Sequence, residues 1–386
     1  MKPIPIAIDL FSGCGGISTG LLDAGIRVAA GFDVDRPSIE AYAYNHAHRG
    51  SRAVIADLAT ASGADLLSMA GVDHVDLVAG GPPCQAFSIA GKQRGLDDKR
   101  GNLIFDFVRL VEELQPSAFF FENVPNIERF DNGRLIEGIT ERLRRAGYGT
   151  SYEVLFAPDY GVAQLRRRLV CVGVKNRNQI PLPPPPTHSQ ALDGDLFGTL
   201  PRYRTTADVL EDLPDVSEEW AQAIPNHEPT FHSAPMLAAF SRLAPGKRDR
   251  KSFHDRLHPD RPSYTLRAGT GNFSPLRPVH YRYDRVVTVR ESARIQGFSN
   301  DFIWPDTLPR LQQYRQVGNA VPPLLAKSVG IHIAKFLDWR LDPDFFQGST
   351  EGRVSHITKT AEERLAEVRK RTRGASLGGK AAPVEC

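Results

Sequence analysis

Short apolar runs and amphipathic stretches alternate through the first half of the chain. Ile4-Pro5-Ile6-Ala7-Ile8-Asp9-Leu10, Val28-Ala29-Ala30-Gly31-Phe32, Ala53-Val54-Ile55-Ala56, Val75-Asp76-Leu77-Val78-Ala79 and Ser117-Ala118-Phe119-Phe120-Phe121 have the composition and length of strands. Between them, Leu21, Leu22 and Ala24 mark one helix. Leu103, Phe107, Leu110, Val111 and Leu114 recur at helical spacing and make an apolar stripe that should pack on a sheet. Strands alternating with helices predict a doubly wound α/β domain over residues 1–178. Ile180-Pro181-Leu182-Pro183-Pro184-Pro185-Pro186 cannot form a helix or a central strand and reads as an extended linker.

The rhythm is lost beyond the linker. Residues 179–314 are rich in Pro, Arg, His and aromatics and predict a second, smaller domain. Residues 315–341 carry Gly318-Asn319-Ala320-Val321-Pro322-Pro323 and then a helix through Leu325, Val329, Ile333 and Phe336, which should return to the first domain. In the tail, residues 342–386, Glu362 to Arg373 reads as a short charged helix and Gly374 to Cys386 as disordered.

Two loops carry candidate chemistry. Gly80-Gly81-Pro82-Pro83-Cys84-Gln85 displays a thiol on a stiff turn at the carboxyl end of a strand, where open α/β sheets bind ligands. An inert buried thiol on a rigid loop is the plainer alternative. Phe11-Ser12-Gly13-Cys14-Gly15-Gly16 lies between the first strand and its helix, where backbone and helix N-terminus suit a negative group. Its spacing is not the dinucleotide fingerprint and selects no cofactor by itself. Asp33 ends the second strand, where a ribose diol is held, and Asp57 follows the third, within reach of an adenine amino group. Each acid also suits a helix cap or the surface. Cys14 reads as a packing residue and Cys171 as core.

Six blocks in order make the resemblance specific. Asp9-Leu10-Phe11-Ser12-Gly13-Cys14-Gly15-Gly16, Gly81-Pro82-Pro83-Cys84-Gln85, Phe121-Glu122-Asn123-Val124 and Gln164-Leu165-Arg166-Arg167-Arg168 are followed by Arg290-Glu291-Ser292-Ala293-Arg294-Ile295-Gln296-Gly297-Phe298 and Gln316-Val317-Gly318-Asn319-Ala320-Val321-Pro322-Pro323. Together the chain resembles the C5-cytosine DNA methyltransferases that use S-adenosylmethionine. The resemblance implies a Rossmann-like class I methyltransferase sheet with a smaller target-recognition domain. It also implies methyl transfer to C5 of a flipped-out cytosine in duplex DNA, with S-adenosylhomocysteine as product.

It assigns residues as well. Cys84 would add to C6, Glu122 would hold the base through N3 and its exocyclic amine, and Arg166 and Arg168 would act beside them. Alternation along a strand puts Arg166 and Arg168 on one face, toward base and phosphate, with Arg167 outward. The cofactor would be held by Phe11, Ser12, Gly13, Gly15, Gly16, Asp33, Val34, Asp57, Leu58, Gly81, Pro82, Leu103, Asn319, Ala320 and Val321. Gln85, Ser88, Gln93 and Arg94 follow the nucleophile, and Ser88, Gln93 or Arg94 would fill the hole left by the base. Arg267, Thr270 and Asn272 would contact DNA from the recognition domain. The Cys-Phe-Thr motif of the RNA-methylating branch is absent from the sequence.

Composition adds little to this picture. The formal charge of +3 over 386 residues does not point to nucleic acid, but Lys247-Arg248-Asp249-Arg250-Lys251 is a local basic cluster, suited to phosphate or to a solvated face. Four cysteines without a C-x-x-C pair favour a reducing compartment and no metal. No signal peptide or long apolar stretch is read, so a soluble cytoplasmic enzyme is expected. It should be a monomer whose partners are double-stranded DNA and a possible cognate restriction endonuclease.

Overall fold

The computed structural model describes residues 4–83, 103–190, 200–269 and 277–342, with 344, 363 and 366 as isolated positions. The first half lays down β1 (Ile6–Leu10), α1 (Gly16–Asp23), β2 (Arg27–Asp33), α2 (Arg36–His46), β3 (Arg52–Ile55), α3 (Gly63–Ala70) and β4 (Leu77–Gly80). It continues with α4 (Leu103–Leu114), β5 (Ala118–Asn123), α5 (Arg134–Arg145), β6 (Tyr148–Phe156), the short β7 (Gln164–Leu165) and β8 (Arg167–Lys175). Seven strands form one sheet in the order β3-β2-β1-β4-β5-β8-β6. Strands β1 to β5 pair in parallel, and β8 runs antiparallel between β5 and β6. This is the doubly wound α/β sheet expected.

Side-chain alternation sorts the two faces. Ile8, Leu10, Phe119 and Phe121 meet Phe107 and Val111 of α4 and Ile136 and Ile139 of α5. Their strand neighbours Ala7, Phe120 and Val172 meet Leu21 and Leu22 of α1 from the other side, together with Leu325 and Val329. The predicted stripe on α4 is real, and Ile104 and Val108 widen it. Leu325 and Val329 lie on α10 (Pro323–Leu337), the last long helix among the described residues, which packs along α1. The C-terminal part of the chain thus returns to the sheet.

Between sheet and α10 stand α6 (Thr206–Leu210), α7 (Ala234–Ser241), β9 (Asp255–Arg256), β10 (Ser263–Tyr264), β11 (Pro278–Val279), α8 (Val289–Gln296) and α9 (Arg310–Asn319). Val209, Ile295, Phe298, Phe302, Trp304, Tyr314 and Val317 form their shared core, which Cys14, Ala41 and Ala163 join from the sheet half. Helix α9 runs across position 314, with Tyr314 and Val317 in that core. The proline-rich stretch is extended but tied down. Ile180 is buried against the sheet, its carbonyl accepts from Ser151 Oγ at 2.7 Å, and Pro184 O accepts from Tyr160 Oη at 3.1 Å.

The stretch Arg310–Leu337 has the length and apolar character of a membrane span. It is two helices broken at Ala320–Pro322, with Val317, Leu325, Val329 and Ile333 buried in protein core. Its apolar character is that of core helices.

Candidate active site

The cofactor loop begins where β1 ends. Phe11 (φ 56°), Gly13 (φ 54°) and Gly15 (φ 95°) turn the backbone into α1 through left-handed geometry. Gly16 has to be glycine because a Cβ there would overlap Val321 O, so the loop and the Ala320–Val321 segment are in direct contact. Asp33, at the end of β2, accepts Gly13 N–H at 2.8 Å on one oxygen and Asp35 N–H at 2.9 Å on the other. Burial pushes its carboxyl up, against the pull of these two backbone donors. A carboxylate has further lone pairs, so Asp33 shapes the loop and keeps acceptors for a diol.

The surrounding residues form a cradle. Val34 is 67% exposed, an apolar side chain at a strand end with nothing over it. Ser12 Oγ is buried with no hydrogen-bond partner among the described residues, and a Cβ on Gly13 would meet nothing within 4 Å. Asp57 is exposed, with one oxygen accepting Ala59 N–H at 3.0 Å, and Leu58 beside it is buried. Leu103 starts α4, half-buried, while Asn319 is exposed and Val321 is buried behind Gly16. An orphaned hydroxyl, an open glycine face, an uncovered apolar residue and acids at the ends of β2 and β3 fit a nucleoside with a charged amino-acid tail.

Beneath the cradle lies a relay the sequence reading missed. Asp9 is fully buried and accepts Ser18 Oγ at 2.7 Å and Ser18 N–H at 3.1 Å. Ser18 Oγ lies 2.9 Å from Tyr42 Oη, which lies 2.7 Å from Ser51 Oγ. Burial pushes the Asp9 carboxyl up to about 7, and Ser18 opposes that shift. An aspartate on the inward face of a strand was the available signal.

The candidate catalytic residues adjoin the cradle. The Gly81-Pro82 stem is held by Gly81 N–H to Leu10 O at 3.2 Å and by Asn123 Nδ2 to Pro82 O at 3.0 Å. A Cβ on Gly81 would lie 3.8 Å from Val321 Cγ2 and 3.9 Å from Glu122 Oε2, so Val321, the stem and Glu122 face one another. Glu122 is the penultimate residue of β5, buried, with Arg168 Nε 2.7 Å from its Oε1. Arg167 turns outward over the Phe156 ring, as alternation predicted.

Arg166 does point inward, but its terminal nitrogens are committed. They donate to Leu266 O, Gly318 O and Ala320 O at 3.3, 3.1 and 3.2 Å. Three main-chain carbonyls line the space its buried guanidinium enters. Cys14 and Cys171 are buried, and burial pushes the Cys14 thiol up to about 12 and the Cys171 thiol higher. Neither is suited to attack.

Cys84, Gln85, Ser88, Gln93, Arg94, Thr270 and Asn272 lie outside the described residues. Arg267 is described and exposed. With Arg248, Arg277, Tyr264 and Thr265 it walls a cleft of about 240 Å³ next to Leu165. Of the basic cluster, Arg248 is held by Asp255 at 2.6 and 3.0 Å. Burial and the neighbouring charges of Arg267 and Arg248 push the Arg277 guanidinium down. Arg277 was missed because it sits in no motif.

Comparison with known proteins follows the same lines. The C-5 cytosine-specific DNA methylase family matches residues 6–335. The chain is 34% identical over 374 residues to the Type II methyltransferase M.XorII of Xanthomonas oryzae, covering 86% of this chain and 85% of that one. It is 35% identical over 343 residues to the Type II methyltransferase M1.HphI of Haemophilus parahaemolyticus, covering 85% and 86%. Among solved structures, a putative DNA modification methyltransferase encoded within an Escherichia coli prophage superposes with a TM-score of 0.70 at 26% identity, covering 86% of this chain and 99% of that one. The S. pombe Dnmt2 methyltransferase shares the fold, with a TM-score of 0.61 at 19% identity over 87% of this chain and 99% of that one. Motifs, sheet and relatives agree, and the chain belongs to the C-5 cytosine-specific DNA methylase family.

Proposed function

We propose that this enzyme methylates C5 of a cytosine flipped out of a specific duplex sequence, through a covalent bond between Cys84 and C6. The observation that carries the proposal is the meeting of the Gly81-Pro82 stem, Glu122 and Val321, which brings the root of the nucleophile loop, the base-holding carboxyl and the cofactor wall to one point. S-adenosylmethionine, when bound, supplies an electrophilic methyl group. Phe11, Ser12, Gly13, Gly15, Gly16, Asp33, Val34, Asp57, Leu58, Gly81, Pro82, Leu103, Asn319, Ala320 and Val321 would hold it.

The chain's own residues prepare the base. Cys84 thiolate forms a bond to C6 and the C5–C6 π electrons make C5 nucleophilic. Glu122 delivers a proton to N3 as that addition proceeds, so negative charge does not accumulate on the ring. Arg168, against Glu122, orients the carboxyl toward the base edge. Once C5 carries the methyl group, N3 returns its proton to Glu122, a base removes the C5 proton, the C5–C6 double bond re-forms and Cys84 leaves as thiolate. Arg267, Arg277 and Arg248 line the cleft that would receive phosphates. A restriction endonuclease of matching sequence is the partner such a modification enzyme would serve.

Duplex carrying 5-fluorocytosine tests the covalent step, because fluorine at C5 blocks the final elimination. A denaturation-resistant protein–DNA complex that needs S-adenosylmethionine and is lost in Cys84→Ala supports the mechanism. A complex that persists in Cys84→Ala refutes it.

A further inference from the structure

Arg166 is 1% exposed and touches two segments far apart in the chain. Nη1 donates to Leu266 O at 3.3 Å, and Nη2 to Gly318 O at 3.1 Å and Ala320 O at 3.2 Å. Two glutamines repeat the connection. Gln164 Oε1 accepts Leu266 N–H at 2.9 Å, Gln164 Nε2 donates to Gln296 Oε1 at 2.5 Å, and Gln296 Nε2 donates to Ala320 O at 2.5 Å. The segments also touch directly, since a Cβ on Gly318 would stand 2.6 Å from the Arg267 carbonyl and 2.7 Å from Ala268 N. Gly16 packs on Val321 O at the other end.

Contact is therefore continuous from the cofactor loop, through Val321, Ala320 and Gly318, to the backbone that bears exposed Arg267. Burial, then the like charge of Arg168, push the Arg166 guanidinium well down against the pull of Glu122. A cation held in such a place needs its carbonyl partners, and those partners belong to two ligand sites.

We propose that Arg166, Gln164 and Gln296 form a clamp that couples the two sites, so that cofactor raises affinity for duplex and duplex raises affinity for cofactor. Seating a ligand against Asn319–Val321 fixes Gly318 and Ala320. Through Arg166, that fixes Leu266 and the adjoining Arg267. Arg166 is then a positioning residue. The clamp rests on the DNA methyltransferase reading above. By linkage the coupling factor is the same in both directions.

The test measures duplex affinity with and without S-adenosylhomocysteine, and S-adenosylhomocysteine affinity with and without duplex. Wild type, Arg166→Lys and Gln296→Met are compared, with melting curves to establish that each is folded. Wild type should show a ratio on the order of 5- to 50-fold, equal in both directions. In Arg166→Lys the ratio should fall toward one, because a point-charge ammonium cannot span the three carbonyls as the guanidinium fork does. Gln296→Met is neutral and similar in volume, cuts the bond to Ala320 O, and carries the test if the lysine variant does not fold. A wild-type ratio of one, or an undiminished ratio in a folded variant, overturns the clamp. Labelled methyl transfer by wild type runs alongside: transfer to duplex with an undiminished variant ratio overturns the clamp alone, and no transfer to DNA overturns the reading beneath it.

Discussion

Arg168 Nε stands 2.7 Å from Glu122 Oε1, joining β8 to the carboxyl end of β5 at the mouth of the site. Arg168→Ala should lower kcat by about 10²- to 10³-fold, the effect of losing one preorganised charged donor. Glu122→Gln retains the shape but cannot deliver a proton, and should lose about 10²- to 10⁴-fold. Single-turnover methyl transfer measures both. Near-wild-type rates in folded protein would remove the pair from the mechanism.

A buried ionic network organises the segment that precedes α8 and the start of that helix. Glu291 accepts Arg285 on both oxygens at 2.8 Å and Thr288 N–H at 2.7 Å, with His280 3.7 Å away. Burial alone would raise the Glu291 carboxyl, but hydrogen bonds and charge from Arg285, helped by His280 and His227, hold it at about 2. Its stabilising contribution is present above the ordinary glutamate range of about 4.5 and is lost as pH falls toward 2. Glu291→Gln removes the two 2.8 Å charged contacts of buried Arg285 and leaves it only the longer one to Asp215 at 3.4 Å, and should destabilise by about 3–5 kcal/mol in denaturant unfolding at neutral pH.

Asp9 acts in the opposite sense. Its folded carboxyl titrates at about 7 against an ordinary 3.8, so the folded state binds the extra proton between those values and stability falls as pH rises through that window. The slope from this one group is at most about 1.4 kcal/mol per pH unit. Asp9→Asn should flatten the stability profile between pH 4 and 7 relative to wild type. Asp33, whose charge opposes ionisation of Asp9, stays in both proteins, and the difference between the two profiles isolates Asp9. Parallel profiles would contradict the buried-acid account.

Cofactor binding has its own signature. S-adenosylhomocysteine at a hundred times its Kd should stabilise the folded protein by about 2.7 kcal/mol, read as a rise in Tm. Asp33→Ala removes the acceptor for Gly13 and Asp35 N–H and should lose most of that rise at the same concentration. An unchanged rise would place the ligand elsewhere.

Strands β1 to β5 were legible because each is a short apolar run, and α4 because its apolar residues recur at helical spacing, whereas β6 mixes polar and apolar residues over nine positions and carries no such signal. Phe119 and Phe121 against Phe120 show the limit of that reading. Three consecutive phenylalanines announce a buried strand, but only the folded sheet assigns them to opposite cores. The cofactor loop and Glu122 were legible as motifs, since local backbone geometry sets their chemistry. The carbonyl partners of Arg166 were not, because they lie 100 to 154 residues away and main-chain acceptors leave no mark in composition. Arg277 and the Glu291 network are hidden for the same reason: their meaning lies in long-range contacts.

The most direct test is transfer of labelled methyl from S-adenosylmethionine to mixed-sequence duplex DNA, with Cys84→Ala beside it and bisulfite sequencing of the product. The account predicts label at C5 of cytosine within one short sequence, and none with the alanine variant. Label that survives in Cys84→Ala, or that goes to RNA and not to duplex DNA, would contradict it.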